Sequence, residues 1–424
     1  MVPINKLNSP ENFGYPGTGN AAPFINKCIE ATGECFLNEG TYIIGRSDYD
    51  YTVGNIYGDN SINWGWTDKK SGIKLVGSGI DKTILKLADD VMSRRFWGKV
   101  SQHCIMLQTS YYESCNDTVI SDITWDGNYQ NNYSTSTLHA IGINGNNNVV
   151  QNCKFINFGV GDLLLAESFV IFLNVWDTIQ DGGKVLNCYF TNPTGKKNSP
   201  HVLIPENTFI GVVGRNVEVR GNTFENCLWD KFTQQSPNHG ITLGGCTGAK
   251  IIGNTFINFQ GSCIYNDSWK NTYVEIADNT ATEVWGFIQL SCQPCSNPDQ
   301  VSDSSNYTIH RNQVKLSDGL TYYAWDQPTQ AVGSVFIGFS YPDAVRNKYR
   351  GFDNVVAEHN VVTMGLINGR VGSYTLLCVW PWEGTIPEDK IRLVDNRFIS
   401  PLISAPSAFK QAPPKAPTGF KIKE

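Results

Sequence analysis

The stretch "IIGNTFINF" occupies residues 251–259, and "EVRGNTFEN" occupies 218–226. The phrase returns with variation as "VVQNCKFIN" (149–157), "KVLNCYFTN" (184–192), "IADNTATE" (276–283) and "RLVDNRFIS" (392–400). Aligned on its large apolar anchor, it gives a column: Trp125, Phe155, Phe190, Phe224, Phe256, Ala281, Val314, Val362, Phe398. The intervals run from 25 to 48 residues. Self-similarity at such a period means stacked units, none able to bury its apolar face alone. Two residues before the anchor stands a second column: Ile123, Cys153, Cys188, Asn222, Asn254, Asn279, Asn312, Asn360, Asn396. Asn tolerates a bent backbone, and stacked side-chain amides can hydrogen-bond from one layer to the next, so a turn is expected there.

Upstream of each turn lies a short alternating strand, as in "VEVRGN", "KIIGN" and "YVEIADN". Another precedes it: "HAIGI", "FVIFL", "FIGVV", "HGITL", "SCIYN", "FIQLS", "VFIGF", "TLLCV". Each unit therefore reads strand, loop, strand, Asn turn, anchor strand, with no helical pattern between. Three short parallel sheets wound as a coil satisfy this order, with rungs about 4.8 Å apart.

The chain resembles the right-handed parallel β-helix, or pectate-lyase-like, superfamily of polysaccharide-active enzymes and phage tailspikes, over roughly residues 10–400. The start agrees with it: "AAPFINKCIEATG" is a short amphipathic helix, followed by "ECFLNEGTYIIG" and "SGIKLVGSGIDKTILKL". The resemblance implies that this helix caps the first coil. The fold expected is all-β, a single-stranded right-handed parallel β-helix with a short N-terminal capping helix. Residues 1–45 would form the cap and first coil, and 46–400 the β-helix with loop insertions. The Pro-rich stretch 401–424 reads as a tail or linker.

Two details check the register. Lys184, Glu218, Lys250 and Glu275 stand four residues before the Asn column and alternate in sign, as cross-strand neighbours should. Cys153 and Cys188 share one column, but rung spacing exceeds the usual disulfide Cβ separation of about 3.8 Å, so buried free thiols are expected. Cys292 and Cys295 have CxxC spacing without a second pair, which does not make a zinc site.

The net charge of −6 and the absence of a basic run argue against nucleic acid. No apolar run reaches the length of a membrane span. The opening "MVPINKLNSPENFGYP" lacks a charged-then-apolar leader pattern, so an extracellular protein would have lost its leader, and a virion-associated one would need none.

A stack of flat sheets offers a long rigid groove, which suits an extended polysaccharide. Short loops ("GRN", "GGCTGA") between long ones predict a saddle near Arg215, Gly244 and Asp267. Alternation with buried Ile241, Leu243, Ile264, Ile288 and Leu290 points Thr242, Tyr265 and Gln289 onto its floor. Glycoside hydrolysis needs two carboxyl groups, and Asp267, Asp230, Asp177 and Asp181 are the candidates near the saddle. Trp176, Trp229 and Trp269 are candidate sugar platforms. A lyase or epimerase acting on uronates would need a base and a cation instead: Lys231, His239, Lys270 or Arg215, with calcium as a cofactor in that case alone. "NHGITLGG" resembles the "GHGISIGS" segment of polygalacturonase-type hydrolases, which implies an active-site place for His239. The paired aspartates of those enzymes have no counterpart in "FIGVVG" one unit earlier, so their mechanism is not carried over.

An endo-acting hydrolase is the first expectation and needs no cofactor. A lyase or epimerase is the second, and a non-catalytic adhesin or tailspike, trimeric in the tailspike case, the third. Asn116, Asn132, Asn266 and Asn306 stand in glycosylation sequons.

Overall fold

The computed structural model describes residues 8–45, 62–63, 71–89, 103–108, 114–132, 137–158, 167–174, 180–191, 206–227, 238–266, 270–291, 304–317, 322–323, 331–332, 335–340, 352–367, 370–371, 377–380 and 390–399. The chain divides into two compact units, Met1–Ser236 and Pro237–Glu424.

In the first unit the parallel strands recur in threes. Sheet I holds Ile62–Asn63, His103–Gln108, Thr137–Ile143, Glu167–Leu173 and Glu206–Arg215. Sheet II holds Glu34–Phe36, Lys74–Val76, Val119–Ser121, Val149–Gln151, Lys184–Leu186 and Glu218–Arg220. Sheet III holds Gly40–Ile44, Thr83–Leu87, Thr124–Asp126, Lys154–Ile156, Tyr189–Thr191 and Thr223–Cys227. Each strand pairs in parallel with the strand one coil further on, for instance Lys154–Ile156 with Tyr189–Thr191. This is the coil that the repeats require.

The anchor column explains the register. Trp125, Phe155, Phe190 and Phe224 are 0–1% exposed and pair rung to rung. Their rings lie nearly parallel, with centroid separations of 6.3, 4.9 and 4.9 Å. Each buried ring contributes about 1.5–3 kcal/mol of hydrophobic stabilisation. A one-residue slip would turn every ring to solvent, so the stack fixes pairing as well as stability. The expected charge ladder is present too: Lys184 pairs with Glu218 in register, with Nζ 3.8 Å from the carboxylate. Cys153 and Cys188 are buried free thiols, as the rung spacing predicts.

The capping helix α1 spans Ala22–Thr32 and lies against Glu34–Phe36 and Ile62–Asn63. Ala22, Ile25, Cys28 and Ile29 form its buried face. Pro23 opens it at a position that needs no N–H donor, and Gly33, with φ 79°, ends it.

In the second unit, sheet II comprises Lys250–Ile252, Thr272–Ala277, Ser304–His310, Phe352–Glu358 and Ile391–Val394. The anchor strands do not all stop short of the next coil. Thr255–Asn266 and Thr280–Ser291 each run continuously from sheet III into sheet I, with a register shift between Phe259 and Ser262. In sheet I they are joined by Asn238–Thr247, Val335–Ser340 and Leu377–Trp380. Ile241, Ile264, Ile288, Ile337 and Leu377 share one column.

The Asn column works as expected, with one correction. Asn279 Nδ2–H donates to Asn312 Oδ1 at 2.9 Å, Asn312 to Asn360 at 2.9 Å and Asn360 to Asn396 at 2.8 Å. Each Oδ1 also accepts the backbone N–H of the preceding Asn, and each Nδ2 also donates to a sheet II carbonyl one coil back. The bend itself falls one residue earlier than the sequence suggests. Asp278, Arg311, His359 and Asp395 carry the positive φ, at 47–56°. The Asn side chains are recruited for their amides, which fill every hydrogen-bonding site of a buried turn.

Candidate functional site

The outward side of sheet I in the second unit gathers four of the residues singled out from sequence. Thr242, Tyr265 and Gln289 share one register column, between the buried rows Ile241–Ile264–Ile288 and Leu243–Asn266–Leu290. His239 pairs in register with Ser262. Its imidazole stacks on the Tyr265 ring with centroids 4.0 Å apart and planes 7° from parallel. The Ser262 hydroxyl donates to Gln289 Oε1 at 2.7 Å.

Gly240 makes this closeness achievable. A Cβ there would stand 2.5 Å from the Cys263 carbonyl oxygen and 2.7 Å from the Phe256 ring. Only glycine lets the start of this strand sit against the next rung and bring His239 over Tyr265. The expected open floor is corrected at these rungs. His239, Thr242, Ser262 and Tyr265 are 2, 4, 1 and 3% exposed, while Gln289 is half-buried. Buried polar side chains are costly unless they are bonded, so hydroxyl, amide and imidazole groups packed this closely hold one another in place beneath the half-buried Gln289.

Behind it, a second polar network pins the end of strand Thr255–Asn266. Asn266 Oδ1 accepts from the Tyr307 hydroxyl and, at 2.6 Å, from Asn271 Nδ2. Asn271 Oδ1 accepts the Cys246 N–H at 2.6 Å, and Ser304 Oγ accepts the Asn271 N–H at 3.1 Å. Asn266 is 1% exposed and Asn132 is 0% exposed, so these two sequons are closed to glycosylation in the folded chain. Asp267 follows Asn266 directly in sequence.

Asp181 and Arg215 belong to the first unit, at the turn from sheet I to sheet II. The Arg215 Nε lies 3.9 Å from an Asp181 carboxylate oxygen, and Asn216 Nδ2 donates to the other at 2.8 Å. The Asp181 N–H donates to Asn146 Oδ1 at 2.8 Å. This is the bonding of a turn residue that ties adjacent coils. Lys270 is exposed in the second unit. Asp267, Asp230, Asp177, Lys231, Trp176, Trp229 and Trp269 lie outside the described residues, as do the CxxC pair and the tail over 401–424. Among the described residues no group of three or more His, Cys, Asp or Glu is placed to hold a metal ion. Ser262 joins the cluster without having been singled out. Its signal was its place two residues before Ile264 in a repeated strand.

No family model and no curated protein matches the chain. Solved structures do. A mutant tailspike protein of E. coli bacteriophage HK620, in complex with a pentasaccharide, aligns with TM-score 0.64 at 14% identity, over 92% of this chain and 66% of that one. A double mutant of that tailspike aligns with TM-score 0.61 at 14% identity, over 92% of this chain and 62% of that one. PfbA, a surface adhesin of Streptococcus pneumoniae, aligns with TM-score 0.50 at 14% identity, over 92% of this chain and 91% of that one. The chain thus spans less than two thirds of the tailspike's length. At such identities the likeness carries the fold alone, and it agrees with the three-sheet coil: a right-handed parallel β-helix.

Proposed function

We propose that the chain binds an extended polysaccharide against sheet I of its second unit and cleaves it internally by hydrolysis. The observation that carries the reading is the cluster of His239, Thr242, Ser262, Tyr265 and Gln289, held in register on successive rungs. In this reading the half-buried Gln289 offers its amide to sugar hydroxyls, and the buried groups beneath hold it in place. The tailspike's pentasaccharide complex supports the same ligand class, and tailspike and adhesin neighbours support an extracellular or virion-associated setting. In this reading Asp267, next in sequence to the pinned Asn266, is the first acid/base candidate, and Asp230 and Asp177, of the first unit, are the other carboxylates to be tested. The tryptophans Trp176, Trp229 and Trp269 are sugar platforms.

A second reading is favoured by one observation: none of the five clustered residues is a carboxylate. A glycan-binding adhesin or spike needs no more than that cluster. Incubation with a panel of polysaccharides separates the readings. Hydrolysis releases new reducing ends without ultraviolet absorbance, and Asp267→Asn and Asp230→Asn abolish the release while leaving binding intact. Binding without chain shortening establishes the second reading. Ultraviolet absorbance from a new double bond overturns both in favour of a lyase.

A further inference from the structure

In each coil the second residue before the repeated part of the sheet II strand closes the turn from sheet I. In the first unit Asp117, Asn147, Gly182 and Asn216 fill this place, all with positive φ. In the second unit the column runs Gly248, Tyr273, Asn306, Asn354, also with positive φ throughout. Glycine, asparagine and aspartate tolerate the left-handed conformation, whereas a bulky aromatic residue is a genuine outlier there. Tyr273 has φ 56° and is 66% exposed, the most exposed large apolar side chain among the described residues.

The other non-standard residues with positive φ have local reasons. Arg311 makes a two-pronged ion pair with Asp278, with Nε and Nη2 each at 2.7 Å. Glu283 pairs with Lys315 at 2.5 Å. His359 is of a type enriched in this region. Among the described residues, no hydrogen bond, ion pair or ring contact holds the Tyr273 side chain. The rung before it carries Gly248, which has no side chain to cover the ring, and the rung after carries Asn306, whose Oδ1 accepts from Asn354 Nδ2 at 2.7 Å. Thr247 and Thr272 are paired across the same two rungs, with hydroxyls 3.2 Å apart. A strained backbone that presents an uncovered aromatic face, bordered by hydroxyls and amides, is a cost that the fold alone does not explain.

We infer that Tyr273 is a glycan-contact residue, its ring face receiving a pyranose ring of the bound polysaccharide at the sheet I to sheet II turn, apart from the His239–Tyr265 cluster. The inference rests on the proposed function, since it needs a polysaccharide ligand. Its signature is an opposition between stability and binding. Tyr273→Asn, which restores the residue type of Asn306 and Asn354, relieves the strain and raises the melting temperature by about 2–4 °C. The same change removes the platform and weakens binding about tenfold, the effect of losing one aromatic contact.

The test is affinity gel electrophoresis of the full chain through xylan, dextran, polygalacturonate and alginate, one polysaccharide per gel, with melting temperatures measured in parallel. Retarded wild type, retarded Tyr273→Phe and a more stable, unretarded Tyr273→Asn is the expected set. Tyr273→Asn retarded like wild type, or melting below it, overturns the inference. Where Tyr265→Ala is unretarded at the same time, the proposed function stands and only the role of Tyr273 falls. Wild type retarded by none of the four overturns both.

Discussion

Changing one atom in the Asn ladder tests the architecture directly. Asn312 is 0% exposed. Its Oδ1 accepts from the N–H of Asn279 at 3.0 Å and from Asn279 Nδ2 at 2.9 Å. Its Nδ2 donates to the Ile276 carbonyl at 3.0 Å and to Asn360 Oδ1 at 2.9 Å. Asn312→Asp keeps the shape and both acceptor bonds but removes both donors. A protonated carboxyl can restore one donor, which leaves one buried acceptor short, at about 1–3 kcal/mol. An ionised carboxyl restores none and sets a charge against two oxygens, so the new group holds its proton and its folded pKa rises well above the usual 3.9 or so. A pKa raised on folding contributes no penalty below the unfolded value and an increasing one as pH rises through the window above it. With a rise of at least three units, typical of buried carboxyls, keeping the proton costs about 4 kcal/mol more at pH 7 than at pH 4. The expected destabilisation is thus about 1–3 kcal/mol at pH 4 and about 5–7 kcal/mol at pH 7. The assay is urea unfolding of variant and wild type at both pH values, followed by tryptophan fluorescence, with the wild-type pH dependence subtracted. Equal destabilisation at the two pH values would refute the account of the amide as an obligatory donor. A variant as stable as wild type at pH 7 would refute the ladder altogether.

Two further predictions concern the first unit. Phe190→Ala removes the middle ring of a stack held at 4.9 Å on both sides, which costs about 3–5 kcal/mol; a urea midpoint lowered by less than a fifth of that would mean the rings do not set the register. Burial, followed by its contact with Cys153, pushes the Cys188 thiol well above its ordinary range, and burial alone does most of the same at Cys227. Both thiols should therefore resist iodoacetamide at pH 8 in the folded chain and react on unfolding in urea, as peptide mapping would show.

The coil was legible because every rung repeats one steric demand. An anchor position needs a large apolar side chain to meet the rings above and below, so Trp125, Phe155, Phe190 and Phe224 line up in the sequence before they stack in space. The Asn column was legible for the same reason, since an amide bonds best to another amide. The left-handed bend was misplaced by one residue because its occupants vary: Gly221, Gly253, Asp278, Arg311, His359 and Asp395 share a backbone angle, not a side chain. The long strands Thr255–Asn266 and Thr280–Ser291 hid in the same way, because their left-handed residues, Asn258 and Glu283, bend the backbone without ending the strand. The candidate carboxylates belong to the least legible class. Asp230 and Asp267 sit in "ENCLWDKFTQQSPNH" and "NDSWKN", which have no repeating partner on neighbouring rungs.

This division says where function should be sought in such a chain. A column residue answers to two vertical neighbours, and its identity is nearly dictated by them. Where a column departs from its own rule without a local bond to explain it, something outside the coil must account for the departure. Arg311 fails that criterion, because its pair with Asp278 accounts for it. Tyr273 meets it, sitting among Gly248, Asn306 and Asn354 with a strained backbone and an uncovered ring. The sheet I column is irregular in another way: Thr242, Tyr265 and Gln289 place three different polar side chains on three successive rungs, with Tyr265 stacked on His239 and Gln289 bonded to Ser262. A stack that enforces repetition makes its irregularities informative, and in the second unit both lie along the path from sheet I to its turn.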